Sequence, residues 1–135
     1  MDKLDKIRSW ARNLEDPILC FVEGAQPEVV KLAKAILEEQ IAEVVLLGDE
    51  LEVFDQCKKY RLPESRLYGV INPLNPPDLE NLLEEKMEES GETDRKAVLK
   101  WMKNPLNLAQ TLWLRGDVDW VIQSLEPLTD PPVQE

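Results

Sequence analysis

The stretch PILCFVEGAQPEVVKLAKAILEEQIAEVVLLGD, residues 17–49, contains two short apolar runs separated by an amphipathic segment. The runs ILCFV (18–22) and VVLLG (44–48) lack the polar alternation of a half-exposed strand, and they are typical of strands buried on both faces of a parallel sheet. Between them, Pro27 stands where a helix can begin, and the apolar residues that follow it recur at helical spacing. The stretch therefore predicts a strand, a crossover helix and a second, parallel strand.

The same alternation continues along the rest of the chain. Apolar runs at 67–71 and 119–123 predict a third and a fourth strand, and the segments between the runs predict helices. This order predicts a three-layer, doubly wound α/β domain with a parallel sheet of about four strands. We expect the domain to cover residues 1–125 and the proline-rich remainder, residues 126–135, to be a disordered tail.

Composition excludes several classes of function. The chain has 27 acidic and 16 basic residues and a formal net charge of −11, so nucleic acids and anionic membranes are poor partner candidates. It contains no histidine, which removes Ser-His and Cys-His nucleophile pairs and most transition-metal sites. Cys20 and Cys57 lie in apolar settings and are expected to be small buried side chains.

No signal peptide or membrane-spanning run is recognisable, so we expect a cytoplasmic protein.

Ligands of doubly wound folds bind beyond the carboxyl ends of the strands. The candidate ligand-binding residues predicted at these ends are Glu23, Gly24, Gly48, Asp49, Asn72 and Ser124. The Glu23-Gly24 turn is the strongest candidate, although a plain tight turn explains it as well. A lone glycine there does not indicate dinucleotide binding. We predict no catalytic residue and no metal site.

Two other groups of polar side chains allow a functional and a structural interpretation. Asp117 and Asp119 could bind a metal, but a link between a helix end and a strand explains them better, since no third ligand is near in sequence. The arginines that could bind phosphate are scattered along the chain: Arg61, Arg66 and Arg115.

The four tryptophans could form an aromatic ligand box. Helical spacing instead favours core positions for Trp10, Trp101 and Trp113. Trp120 alternates with Val121 on the fourth strand, and its role stays open at this point.

The order of these segments resembles the start of the phosphate acetyl/butyryltransferase family. FVEGAQPEVVKLAKAILEEQIAEVVLLGD (21–49) is similar to the family's opening, in which a strand ending in a Pro-Glu-Gly turn precedes a Leu-Leu-Gly strand. INP (71–73) resembles the exit of the third strand, and KAVLKWMKNPLNLAQTLWLRGDVDWVI (96–122) resembles two helices and the following Gly-Asp-Ala-Asp-Gly strand. The resemblance covers residues 1–124. It implies the N-terminal domain of that family, with a fold like one half of isocitrate and isopropylmalate dehydrogenases.

The chain departs from the family at positions that bear on function. Val22 replaces the proline of the first turn, Gln40 a helix-ending glycine, and Trp120 the glycine of the fourth strand. We expect the Trp120 indole to fill part of the ligand cleft, because glycine allows backbone to approach a ligand closely. The resemblance implies a second domain and a returning C-terminal segment whose Ser, Arg and Asp position coenzyme A and acyl phosphate. This sequence has no positions to receive those three residues.

We therefore predict a non-catalytic domain that binds a protein partner or a small ligand, without a cofactor. The alternative is a phosphate acyltransferase that converts acetyl-CoA and phosphate to acetyl phosphate and coenzyme A, alone or as one part of a split enzyme. Coenzyme A is expected only under this alternative. Loss of the covering part leaves apolar surface open, which predicts a homodimer or a complex with a separate partner chain.

Overall fold

The computed structural model describes residues 3–125 and Pro131. Within this part of the chain, strands and helices follow one another in the predicted alternation. The strands are β1 (Ile18–Phe21), β2 (Glu43–Leu47), β3 (Gly69–Ile71) and β4 (Trp120–Ile122). The helices are α1 (Lys3–Ala11), α2 (Pro27–Glu38), α3 (Glu50–Lys59), α4 (Leu79–Ser90), α5 (Arg95–Met102) and α6 (Pro105–Leu114). The predicted tail falls on residues 126–135, which, Pro131 apart, lie outside the described residues.

The four strands form one parallel sheet in the order β3-β2-β1-β4. Phe21 of β1 lies beside Leu46 of β2 on one side and beside Ile122 of β4 on the other, and Leu47 of β2 lies beside Ile71 of β3. The predicted parallel α/β sheet is confirmed.

Helices cover both faces of this sheet. Leu19 and Phe21 point to the face covered by α1, α2 and α3, whereas Cys20 between them points to the face covered by α4, α5 and α6. All three side chains are completely buried. Because each successive residue of β1 meets a helix layer, the strand is apolar throughout, which explains the continuous run in the sequence.

The third strand is shorter than the predicted run 67–71. A 3₁₀ turn spans Glu64–Arg66, and the N–H of Leu67 donates to the carbonyl oxygen of Glu64. That amide is therefore not available to the sheet. Pairing with β2 begins only where the N–H of Tyr68 donates to the carbonyl oxygen of Val44 at 2.8 Å.

The prediction of core tryptophans is correct for one helical residue and wrong for two. Trp10 is buried, whereas Trp101 is 36% and Trp113 is 42% exposed. The reason is that α5 and α6 are each buried along a narrow stripe, with Met102 and Leu108 at its centre, and the two indoles lie beside it. Among the described residues, no helix is long and apolar enough to cross a bilayer.

Candidate functional site

The predicted site residues lie at one edge of the sheet, because all four strands point the same way. Hydrogen bonds join the strand ends: the N–H of Val22 donates to the carbonyl oxygen of Ile122 at 3.0 Å, and that of Gly24 to Leu47 at 2.8 Å. The N–H of Gly48 donates to Ile71 at 3.0 Å. We call this rim the carboxyl edge. It comprises the residues that follow the four strands: Glu23, Gly24, Gly48, Asp49, Asn72 and Ser124.

The strand order selects one part of the carboxyl edge. From β1 the chain continues to β2 and then to β3, both on the same side of β1, and the connecting helices α2 and α3 cover one face of the sheet. After β3 the chain passes back across the sheet, and β4 pairs with the other side of β1. The direction of winding thus reverses between β1 and β4. In open α/β sheets the ligand crevice lies at this reversal. Glu23 and Gly24 after β1, and Ser124 after β4, border it.

Gly24 and Gly48 allow close packing between neighbouring backbone segments. A Cβ atom on Gly24 would lie 2.5 Å from the carbonyl oxygen of Leu47, a separation at which real Cβ atoms are not found. A Cβ atom on Gly48 would lie 3.0 Å from a methyl carbon of Val53 on α3. Close packing at the edge therefore explains why both positions are glycine, with or without a bound ligand.

Asp49 and Asn72 are engaged in local hydrogen bonds. Asp49 caps α3, since its Oδ1 accepts from the N–H of Glu52 at 3.1 Å. Asn72 donates from Nδ2 to Oε2 of Glu50 at 3.0 Å, and its Oδ1 accepts from the N–H of Leu74 at 3.0 Å. These bonds fix the loops that follow β2 and β3.

The start of α2 supplies polar backbone at that crevice. Its N-cap residue, Gln26, makes no side-chain capping bond, and Pro27 occupies the first turn. The free N–H groups of this first turn carry the positive end of the helix dipole. Sequence reasoning did not single out these amides, although the absence of Ser, Thr, Asp or Asn before Pro27 was the signal for them. Within the described residues, the exposed carboxylate of Glu23 beside them has no ion-pair partner.

Asp117 and Asp119 hold the start of β4 in place. Asp119 Oδ2 accepts from the N–H of Ile18 at 2.8 Å, and the N–H of Asp119 donates to the carbonyl oxygen of the same residue at 2.8 Å. Asp117 Oδ2 lies 3.4 Å from Nε of Arg115 at the end of α6. The link between a helix end and a strand is confirmed. No group of three or more potential metal-binding side chains occurs among the described residues.

The three candidate phosphate-binding arginines have different surroundings, and Arg61 is an exposed residue just after α3. Arg115 is surrounded by carboxylates of Asp78, Glu85 and Asp117 at 3.2–3.4 Å. Arg66 donates to the carbonyl oxygen of Leu37 at 2.9 Å and lines a cavity of about 660 Å³ beside the amino ends of β1 and β2. None of the residues directly following the four strands is cationic, so the carboxyl edge itself lacks the positive charge that phosphate requires.

The cavity at the amino edge also contains Arg8 and Arg12. Arg8 forms ion pairs with Asp5 and with Glu39, the latter at 2.6 Å, and hydrogen bonding to Glu39 is the main cause that raises its pKa. Charge in this cavity is thus largely balanced by the protein's own carboxylates.

Trp120 lies in the core and outside the predicted cleft, so the expectation that its indole fills the ligand cleft is wrong. It occupies the first position of β4, and its ring centroid lies 5.2 Å from that of Trp10 on α1. Only 3% of Trp120 is exposed. The indole therefore packs between the sheet and α1, away from the carboxyl end of the strand.

Both cysteines are free and completely buried. Burial raises the pKa of Cys20 to about 12 and also raises the pKa of Cys57. Neither thiol is therefore available as a thiolate near neutral pH, which agrees with the small buried side chains predicted from the sequence.

A comparison with protein families shows which family the sequence matches. The family described as phosphate acetyl/butaryl transferase matches residues 3–131, almost the whole chain. The chain belongs to this family.

Solved structures agree with this assignment at the level of the fold. The EutD phosphotransacetylase from Staphylococcus aureus superimposes with a TM-score of 0.75 at 20% identity, over 90% of this chain. A phosphotransacetylase from Streptococcus pyogenes gives the same TM-score and identity over 92% of this chain. No curated protein matches the sequence significantly. The chain spans 36% and 38% of the length of the two phosphotransacetylases.

This phosphate acetyl/butaryl transferase domain thus presents the family fold with a neutral to acidic carboxyl edge. The structure brings all six predicted site residues to that edge. That these residues contact a ligand stays a prediction.

Proposed function

We propose that this chain provides the N-terminal α/β domain of a phosphate acyltransferase and that its carboxyl edge forms one wall of the substrate site. The reaction is acyl-CoA + phosphate to acyl phosphate + coenzyme A. The observation that carries the proposal is the family match over residues 3–131. This favours the enzymatic alternative over a non-catalytic binding domain.

The crevice between β1 and β4 is suited to one part of this chemistry. In the forward direction a phosphate oxygen attacks the acyl carbon, the C–S bond breaks, and the thiolate of coenzyme A leaves. Negative charge develops on the acyl oxygen during the attack. The uncapped first-turn amides of α2 beside Glu23 and Gly24 are donors that could stabilise such charge.

The chain's charge indicates that it does not complete the site by itself. Phosphate and the coenzyme A phosphates need cationic partners, and the residues after the strands supply none. We infer that the cationic groups come from polypeptide beyond the described residues, either further along a longer chain or on a separate one. The catalytic unit would then be a split or composite enzyme.

The direct test is an assay for acetyl phosphate from acetyl-CoA and phosphate, run with the pure chain and with the chain plus extract of its source organism. That extract is first depleted of any full-length phosphotransacetylase. The proposal expects little turnover from the chain alone and turnover that depends on the chain after extract is added. Absence of turnover in both would leave a non-catalytic binding domain as the better interpretation.

In the same assay, a charge substitution tests whether the carboxyl edge forms a wall of the substrate site. Glu23→Gln removes a carboxylate from the crevice, and the lost repulsion should lower the KM for phosphate about two- to fivefold, on the scale of about 1 kcal/mol between exposed charges at close range. Glu38→Gln, an equal charge change at the opposite end of α2, is the matched control and should leave KM unchanged. An equal response of the two variants would place the substrates elsewhere.

A further inference from the structure

The cavity at the amino edge of the sheet lies opposite the carboxyl edge. It is bordered by the end of α1, the turn into β1, the turn between α2 and β2, and the 3₁₀ turn after α3. Since β1 has four residues, about 13 Å of strand separate this cavity from the carboxyl edge. A ligand bound here is therefore separate from the substrates of the carboxyl edge.

The side chains that line the cavity carry both signs of charge in equal number. They are three arginines and three carboxylates: Arg8, Arg12, Arg66, Asp16, Glu39 and Glu43. One pair is used within the chain, because Nη2 of Arg8 lies 2.6 Å from Oε1 of Glu39. Two cations and two anions remain to meet a ligand.

These remaining charged groups have few contacts of their own. In the part of the chain that the structure describes, Arg12, Asp16 and Glu43 form no ion pair. Arg66 donates from Nη2 to the carbonyl oxygen of Leu37 at 2.9 Å, which occupies one of its nitrogen atoms. Because a guanidinium has five N–H donors, Arg66 keeps donors for a ligand.

Two turns that border the cavity hold non-glycine residues in left-handed backbone conformation. The angle φ is 46° at Asp16 and 56° at Gln40, and both residues line the cavity. This conformation is uncommon outside glycine because the Cβ atom crowds a carbonyl oxygen. Strained residues of this kind concentrate at ligand sites, so the two turns support a binding role for the cavity.

The mixed lining favours one class of ligand. Besides the charged groups, aliphatic side chains such as Leu14 and Ile41 line the cavity. A ligand with negative charge alone would approach Asp16 and Glu43 in a protein whose net charge is already −11. A ligand with positive charge alone would meet the two arginines. A molecule with one group of each sign and an apolar body matches all three parts of the lining.

We propose that the amino-edge cavity binds a small zwitterion with an apolar body, the chemical class of the free apolar amino acids. The ligand's carboxylate pairs with Arg12 and Arg66, since planar guanidinium donors match a carboxylate. Its ammonium group pairs with Asp16 and Glu43. The cavity of about 660 Å³ lies within the range of about 300–1,000 Å³ that is typical of small-molecule sites. The proposal does not depend on the enzymatic role of the carboxyl edge.

Titration of the ¹⁵N-labelled chain with L-leucine near neutral pH tests the proposal through amide chemical shifts. The comparison compounds are isocaproate, which is leucine without the ammonium group, and isoamylamine, which is leucine without the carboxylate. With leucine we expect saturable shifts in the cavity, at Arg12, Asp16 and Gln40. Each comparison compound should bind at least about tenfold more weakly, because it leaves one set of charged side chains without a partner.

Two substitutions separate the roles of the charged groups. Arg12→Gln removes a cation and should raise the leucine dissociation constant about tenfold. The matched control is Arg61→Gln, an equal charge change at an exposed arginine outside the cavity, which should leave that constant unchanged. Asp16→Asn removes a carboxylate at a position where asparagine also tolerates left-handed backbone. It should weaken the binding of leucine but not that of isocaproate.

Circular dichroism and the thermal midpoint establish that each variant is folded, as expected for exposed positions. A titration without saturable shifts at the cavity overturns the proposal. Isocaproate that binds as tightly as leucine overturns it too, because the cavity would then be a simple anion site. Equal weakening by Arg12→Gln and Arg61→Gln contradicts it as well, since net charge and not the cavity would then govern binding.

Discussion

Replacing Gly24 with alanine would place a Cβ atom 2.5 Å from the carbonyl oxygen of Leu47 and 2.8 Å from the amide nitrogen of the same residue. Both are backbone atoms of the neighbouring strand and cannot rotate away as a flexible side chain would. The turn after β1 must therefore move outward, and it then loses the 2.8 Å hydrogen bond from the Gly24 N–H to that carbonyl oxygen.

The cost can be assembled from these two changes. Overpacking costs about 1–3 kcal/mol, and a buried donor and acceptor left unpaired cost about 1–3 kcal/mol. Reduced freedom of the unfolded chain returns about 0.4–1 kcal/mol. Gly24→Ala should thus lower the free energy of unfolding by about 1–5.5 kcal/mol, with a midpoint near 3 kcal/mol.

Urea denaturation followed by circular dichroism measures this effect, with Gly69→Ala as the matched control. Gly69 lies in β3, and a Cβ there would meet no atom within 4 Å, so alanine should be neutral or stabilise by about 0.4–1 kcal/mol. A Gly24→Ala protein within about 0.5 kcal/mol of wild type, the range of ordinary surface changes, would refute the close approach of the β1 turn to β2.

Three other substitutions test separate parts of the fold. Gln40 has a left-handed backbone with φ of +56°, so Gln40→Gly should raise the free energy of unfolding by about 1 kcal/mol in urea titrations. The control is Lys34→Gly inside α2, which should lower the free energy of unfolding by a similar amount. Trp120→Ala removes the indole buried against Trp10 and should cost about 3–5 kcal/mol in the same titrations; a loss below about 1 kcal/mol would contradict its core position. Because burial raises the pKa of Cys20 to about 12 from 9.0, the unfolded state loses this thiol proton first, and stability should fall as pH rises from about 9 towards 12. Cys20→Ala should flatten that decline, and an unchanged slope would show that the thiol is not its source.

The sheet was predictable because its strands are buried on both faces. Leu19, Cys20 and Phe21 each contact a helix layer, so burial is visible in composition alone. The length of β3 was not predictable, since Leu67 is apolar and buried but its N–H closes a 3₁₀ turn. The exposure of Trp101 on a helix was also not predictable, because periodicity gives the direction of a side chain but not the width of the buried stripe.

The candidate site was predictable as a location and only partly as chemistry. Parallel strands bring their carboxyl ends together, so Glu23 and Asn72 lie on the same edge as expected. The crevice between β1 and β4 depends on strand order, which local periodicity does not contain. The surroundings of Trp120 were not predictable either, because the sequence does not show which helix covers its face of β4; in the structure that helix is α1, through Trp10.

The central claim is that the carboxyl edge faces the acyltransferase substrates, and amide chemical shifts of the ¹⁵N-labelled chain test it most directly. On titration with acetyl-CoA at millimolar concentration, the account predicts shifts at Glu23, Gly24 and Ser124 and in the first turn of α2, with no change at Arg12 in the amino-edge cavity. Shifts confined to that cavity, or shifts that leave the carboxyl edge unperturbed, would contradict it.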